Sequence, residues 1–124
     1  MNINGKEVQT RYGMLATDYF LSKVELFQNI SYYSTIGLAH IIWGGVMNWY
    51  EVKQQPYPVT FEEVYDFVEN AQLNGNSEAV QEQVSLFESS QALKKKTEQL
   101  TEALEETKKK MIPMAEGESP LKQD

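Results

Sequence analysis

The chain has 124 residues and no cysteine, and its 18 acidic and 11 basic side chains give a formal charge of −7. One domain of ordinary size is expected, with neither a disulfide framework nor a thiolate metal site. The acidic balance works against the basic, counterion-releasing face that nucleic-acid binding requires.

Asn4-Gly5 is the pair a tight hairpin turn prefers, because both central residues need positive φ. Met1–Ile3 and Lys6–Arg11 flank it, with Ile3 and Val8 as apolar contacts. A two-stranded ribbon is marginal alone, so it must lean on a core. The first residues lack the charged and apolar regions of a signal peptide, and a cytoplasmic protein is expected. From about Tyr12 to Gln28, Met14, Leu15, Tyr19, Phe20, Leu21, Val24, Leu26 and Phe27 recur at helical spacing. Asp18, Ser22 and Lys23 would face outward. Asn29 and Ser31 read as a break and a restart, since both favour caps over helix interiors.

Between Glu25 and Glu51 there is no Asp, Glu, Lys or Arg. Apolar residues cover all sides of a helix there, which is the pattern of a buried or a membrane helix. Ile36–Tyr50 is shorter than the ~20 residues a bilayer core demands, and it contains His40 and Asn48. It is therefore expected to be the central helix, wrapped by the others, with Gly37, Gly44 and Gly45 permitting close approach. Membrane association is not expected.

Gln55-Pro56-Tyr57-Pro58 reads as a loop, since each proline lacks a donor and restricts its predecessor. Thr60 with Glu63 is a capping-box pattern, and Val59 with Val64 fits a hydrophobic staple. Val64, Phe67 and Val68 give the following helix an inner face, and Asn74-Gly75 ends it. Ser77–Met111 has no Gly or Pro and predicts one long polar helix or two in series. Leu86, Leu93 and Leu100 recur at heptad spacing with Leu104 after them, but Ser90 and Thr97 occupy the second apolar position of a coiled-coil seam. Lys94–Lys96 and Lys108–Lys110 lie among glutamates and read as solvated helix surface. The expected organisation is mainly α: a small β-hairpin packed on a helical bundle over 1–75, a long polar helix over 76–111, and a disordered tail over 112–124.

No catalytic constellation is present. His40 is the lone histidine and has no second histidine or cysteine beside it, so it reads as a satisfied core or interface residue. Glu62, Glu63 and Asp66 open a helix, where acids suit the macrodipole. The glycines match no phosphate loop, and no calcium-loop spacing occurs. No enzyme activity, cofactor or metal is expected. Protein binding is, through aromatic and leucine residues: Trp43, Trp49, Tyr50, Tyr57, Leu86, Leu93, Leu100 and Leu104.

The order of elements adds a resemblance. An Ile-Asn-Gly-Lys-Glu hairpin (Ile3–Glu7), Tyr12-Gly13, an apolar helix with Gly44-Gly45 and Trp49-Tyr50, a Pro-containing loop and Val59-Thr60-Phe61-Glu62-Glu63-Val64 follow one another. Over about Met1–Gln72 this resembles the tail assembly chaperones of long-tailed bacteriophages and prophages. The resemblance implies a non-enzymatic protein of the host cytoplasm that binds and solubilises the tape-measure protein and helps recruit tail-tube subunits. Self-association into an oligomer is a separate expectation for the chain. The resemblance also implies that a longer, frameshifted product can exist. The alternatives are a structural or adaptor subunit of a phage particle, or a small helical oligomeric interaction protein.

Overall fold

The computed structural model describes residues 1–26, 34–99 and 101–103. Its elements are β1 (Asn2–Ile3), β2 (Lys6–Glu7), α1 (Met14–Leu26), α2 (Thr35–Lys53), α3 (Phe61–Leu73) and α4 (Glu78–Glu88), followed by a helical segment, α5, over residues 91–99. The protein is thus mainly helical with a small N-terminal antiparallel hairpin. Two compact units divide it, Met1–Leu93 and Lys94–Asp124.

Asn4 and Gly5 both take positive φ, 57° and 79°, as the tight turn requires. The register pairs Asn2 with Glu7 and Ile3 with Lys6. Ile3 and Val8 are almost fully buried, so the ribbon is anchored by its apolar residues.

Helix α2 is the centre of the first unit and packs against α1, α3 and α4. Ser34 caps it, its hydroxyl accepting from the Gly37 N–H at 3.1 Å. At the other end Gln54 adopts the left-handed conformation (φ 55°). Its N–H reaches the Glu51 carbonyl at 3.2 Å and the Gln55 N–H reaches that of Tyr50 at 3.0 Å, a Schellman motif built without glycine. Ala39, Ile41, Ile42 and Val46 are sealed within the core. The expected break at Asn29 and Ser31 lies outside the described residues.

Helix α1 presents an unexpected face. Ala16, Thr17 and Phe20 are buried, whereas Met14 and Leu15, expected inside, are exposed. Close backbone approach explains the inversion. A Cβ on Gly44 would lie 3.3 Å from the Ala16 carbonyl oxygen, and one on Gly45 would lie 2.7 Å from the Tyr12 ring. Small residues must occupy that contact, and larger ones are turned out. Asn48 completes it, its Oδ1 accepting from the Gly13 N–H at 2.9 Å and the Ala16 N–H at 3.0 Å. An amide on the central helix thereby caps the start of α1 in place of a local residue.

Helix α3 begins with the full capping box, Thr60 and Glu63 satisfying each other's backbone N–H. Val59, Val64 and Val68 are buried, and Gly75 ends the helix at φ 68°. Helix α4 contributes Val80, Val84 and Phe87 to the same core. The first unit therefore runs to Leu93, past the boundary expected at residue 75. Of the two readings for the stretch after residue 76, one helix or two in series, the described residues show two. A break falls at Ser89-Ser90, and the Ser90 hydroxyl caps α5 by accepting from the Leu93 N–H at 3.2 Å. Leu86 and Leu93 consequently sit on different helices, and the heptad row is interrupted between them. In the second unit, residues 94–99 and 101–103 are helical, and the Thr101 hydroxyl donates to the Thr97 carbonyl at 3.0 Å. The tail expected over 112–124 lies outside the described residues.

Candidate functional site

His40, Trp43, Met47 and Tyr50 recur three or four residues apart, which sets them on one side of α2. Packing on that side is aromatic. The Trp43 ring centroid lies 5.3 Å from that of Tyr57 and 6.0 Å from that of Phe61, the second pair edge to face. His40 stacks on Phe61 at 4.8 Å, and Tyr50 meets Tyr57 at 6.0 Å. These are separations at which aromatic pairs attract beyond their buried area. Tyr19 of α1 closes the row, its hydroxyl 2.8 Å from His40 Nδ1. Tyr19, Trp43, Tyr57 and Phe61 are each half-buried, so one edge of the row reaches solvent.

Charged groups border the row without entering it. The Lys23 ammonium lies 5.4 Å from the Tyr19 ring centroid. Tyr57 donates to the Glu51 carboxylate at 2.6 Å, which fixes the Pro56–Pro58 loop against α2. Burial, reinforced by that hydrogen bond, pushes the Tyr57 hydroxyl up to about 12. Burial alone pushes Tyr19 up to about 12. His40 is held below its ordinary value, first by burial and then by the Lys23 charge, and is therefore neutral near pH 7. Rings that stay uncharged present an adaptable contact surface with polar handles, suited to binding an apolar partner.

The expected anchors separate in space. Trp43 and Tyr57 belong to the row. Tyr50 sits beneath it as a core residue, 7% exposed, its hydroxyl accepting from the Gln9 N–H at 3.1 Å. As a free anchor it is therefore corrected: a helix-end tyrosine is sealed by the segment following the hairpin. Trp49 is half-buried and carries the Lys53 ammonium 5.0 Å over its ring, with no ring contact to the row among the described residues. Leu86 is exposed, whereas Leu93 packs against the core. Leu100 and Leu104 lie outside the described residues.

Sequence reasoning missed Tyr19 and the use of His40 as a spacer between Tyr19 and Phe61. It also missed Gln83, which is buried and accepts at 2.8 Å from both the Thr10 and the Tyr12 hydroxyls. That acceptor locks the segment before α1 onto α4. A glutamine on an apolar stripe (Val80, Gln83, Val84, Phe87) was the available signal. Among the described residues no cluster of His, Cys, Asp and Glu could hold a metal ion, and no helix is long and apolar enough to cross a membrane.

Comparison with models of protein families, with curated proteins and with solved structures returns no match to this protein.

Proposed function

We propose that this protein is a non-catalytic tail assembly chaperone that binds and solubilises a tape-measure protein in the host cytoplasm and helps bring tail-tube subunits to it. One structural observation carries the reading: the half-exposed row of Tyr19, Trp43, Phe61 and Tyr57 held on a close-packed helical frame. A long helical client exposes an apolar stripe in water, and an adaptable aromatic row on a rigid frame is a surface that can cover one. The order of motifs over Met1–Gln72 supports the assignment to the tail assembly chaperones. Binding through such a row needs no proton transfer and no cofactor.

The test is co-expression with the tape-measure protein encoded by the same genome. A soluble complex is expected, and it should weaken at least ~30-fold when Trp43 and Tyr57 are both changed to alanine, the loss typical of central aromatic anchors. An insoluble client with no complex formed would remove the proposal. Stoichiometric retention of the protein in purified particles would favour a structural or adaptor subunit instead.

A further inference from the structure

Two Asn-Gly pairs occur in the described residues, and the structure treats them differently. Both are exposed turns with a left-handed glycine. At Asn4-Gly5 the reacting groups are occupied: the Asn4 amide Nδ2 donates to Glu63 Oε2 at 2.9 Å, and the Gly5 N–H donates to Asn2 Oδ1 at 3.1 Å. At Asn74-Gly75 the backbone is held by bonds on either side, Asn74 N–H to the Asn70 carbonyl and Asn76 N–H to the Ala71 carbonyl, both at 3.0 Å. Among the described residues neither the Asn74 side chain nor the Gly75 N–H has a hydrogen-bond partner.

We infer that Asn74 is a site of spontaneous covalent modification, deamidating through an imide with Gly75, while Asn4 is protected as long as the protein stays folded. Asn74 rests at ψ 3°, so the exposed turn first rotates about that bond; the deprotonated Gly75 amide nitrogen then attacks Cγ of Asn74, forming the N–C bond of a five-membered imide. The Cγ–Nδ2 bond of Asn74 breaks, and that nitrogen leaves as ammonia after taking up the proton. Solvent water then opens the ring at one of its two carbonyls, giving aspartate or isoaspartate with no oxidant or reductant. Glycine is the partner that least obstructs the attack, having no Cβ.

The product changes the end of α3 in two ways. A carboxylate replaces a neutral amide at a helix C-terminus, where negative charge is unfavourable. The isoaspartate form also adds a backbone carbon between residues 74 and 75, which the Asn76-to-Ala71 bond cannot absorb. The same turn borders, through Gly75, a groove of about 600 Å³ lined by Leu38, Ala71, Val80 and Val84, so the new charge appears one residue from its edge.

The test is peptide mapping by mass spectrometry of the full-length protein held at mildly alkaline pH, with isoaspartate identified by enzymatic methylation. In the folded protein Asn74 should convert at least ~10-fold faster than Asn4, and the gap should close in denaturant, because only local opening frees the hairpin amides from Glu63 and Asn2. Equal rates at the two sites in the folded protein, or an Asn74 that converts only after unfolding, would overturn the inference. Gly75→Ala should slow conversion at residue 74, but it strains the turn. Asn2→Ala therefore serves as a second probe, expected to quicken conversion at Asn4 and leave Asn74 unchanged. An unaltered Asn4 rate would refute the protection.

Discussion

The two flanks of α2 are built on opposite rules. Toward α1 the contact is made by Gly13, Ala16, Gly44 and Asn48, with backbones close and one asparagine amide feeding two N–H groups. Toward α3 it is made by His40, Trp43, Phe61 and Tyr57, with rings as spacers and an edge left in water. The first flank has little tolerance: a methyl on Gly13 would meet the Asn48 amide, one on Gly44 the Ala16 carbonyl, and one on Gly45 the tethered Tyr12 ring. The second has slack, since ring pairs accept a range of tilts. Rigidity on one side keeps the other in place while its rings adjust.

Breaking the close flank should give the largest effect. Asn48→Ala strands the Gly13 and Ala16 N–H groups, the second of them buried, and is expected to cost about 3 kcal/mol. A shift in the denaturant midpoint at constant m-value would measure it. Asn48→Asp keeps an acceptor, and its charge sits at the start of α1, so it should lose less than alanine does.

Gly45→Ala comes next. Its methyl would lie 2.7 Å from a Tyr12 ring that is tied to Gln83, so over-packing of about 1–3 kcal/mol outweighs the ~1 kcal/mol gained in helix propensity. Thermal unfolding of this variant beside Gly44→Ala, whose methyl would sit at 3.3 Å, would show how sharply the tolerance ends.

The aromatic flank is tested by pH. Because His40 titrates below its ordinary 6.5 when folded, the unfolded protein binds the extra proton first on acidification. Stability is therefore whole above about 6.5 and falls as pH drops from there through the lower folded value. His40→Gln should flatten that window in a series of unfolding curves. The contribution of Glu63, lowered chiefly by its hydrogen bond from Asn4, should persist, since it is lost only below about 4.5. The smallest change lies on neither flank. Gln54→Gly relieves a left-handed residue and should stabilise by about 0.5–1 kcal/mol, leaving client binding untouched.

How far the sequence revealed this depends on the range over which each decision is made. Thr60 with Glu63, Val59 with Val64, and Asn4-Gly5 are decided within a few residues, and their patterns read directly. The burial of Ala16 and Thr17 over Met14 and Leu15 is decided by Gly44 and Asn48, some thirty positions away. No local period encodes it. Trp43 and Tyr57 stood out by type, whereas Tyr19 joins the row only once α1 lies against α2, and His40 only once Phe61 of α3 stacks on it. The break at Ser89-Ser90 was written in two poor helix formers that also cap well, but the run of good formers around them left one helix and two in series equally open.

Glu63 belongs to two structures at once. It caps its own helix, and its other oxygen receives Asn4 at 2.9 Å and Lys6 at 3.4 Å from the N-terminal hairpin. The hairpin has too few pairings to form alone, so its docking should depend on the core beneath Ile3 and Val8 and on the first turn of α3. Hairpin and helix start should then open and close together, as one unit that the Glu63 carboxylate ties at its exposed edge. The Gly5 and Glu63 amides should accordingly exchange their hydrogens at matching rates.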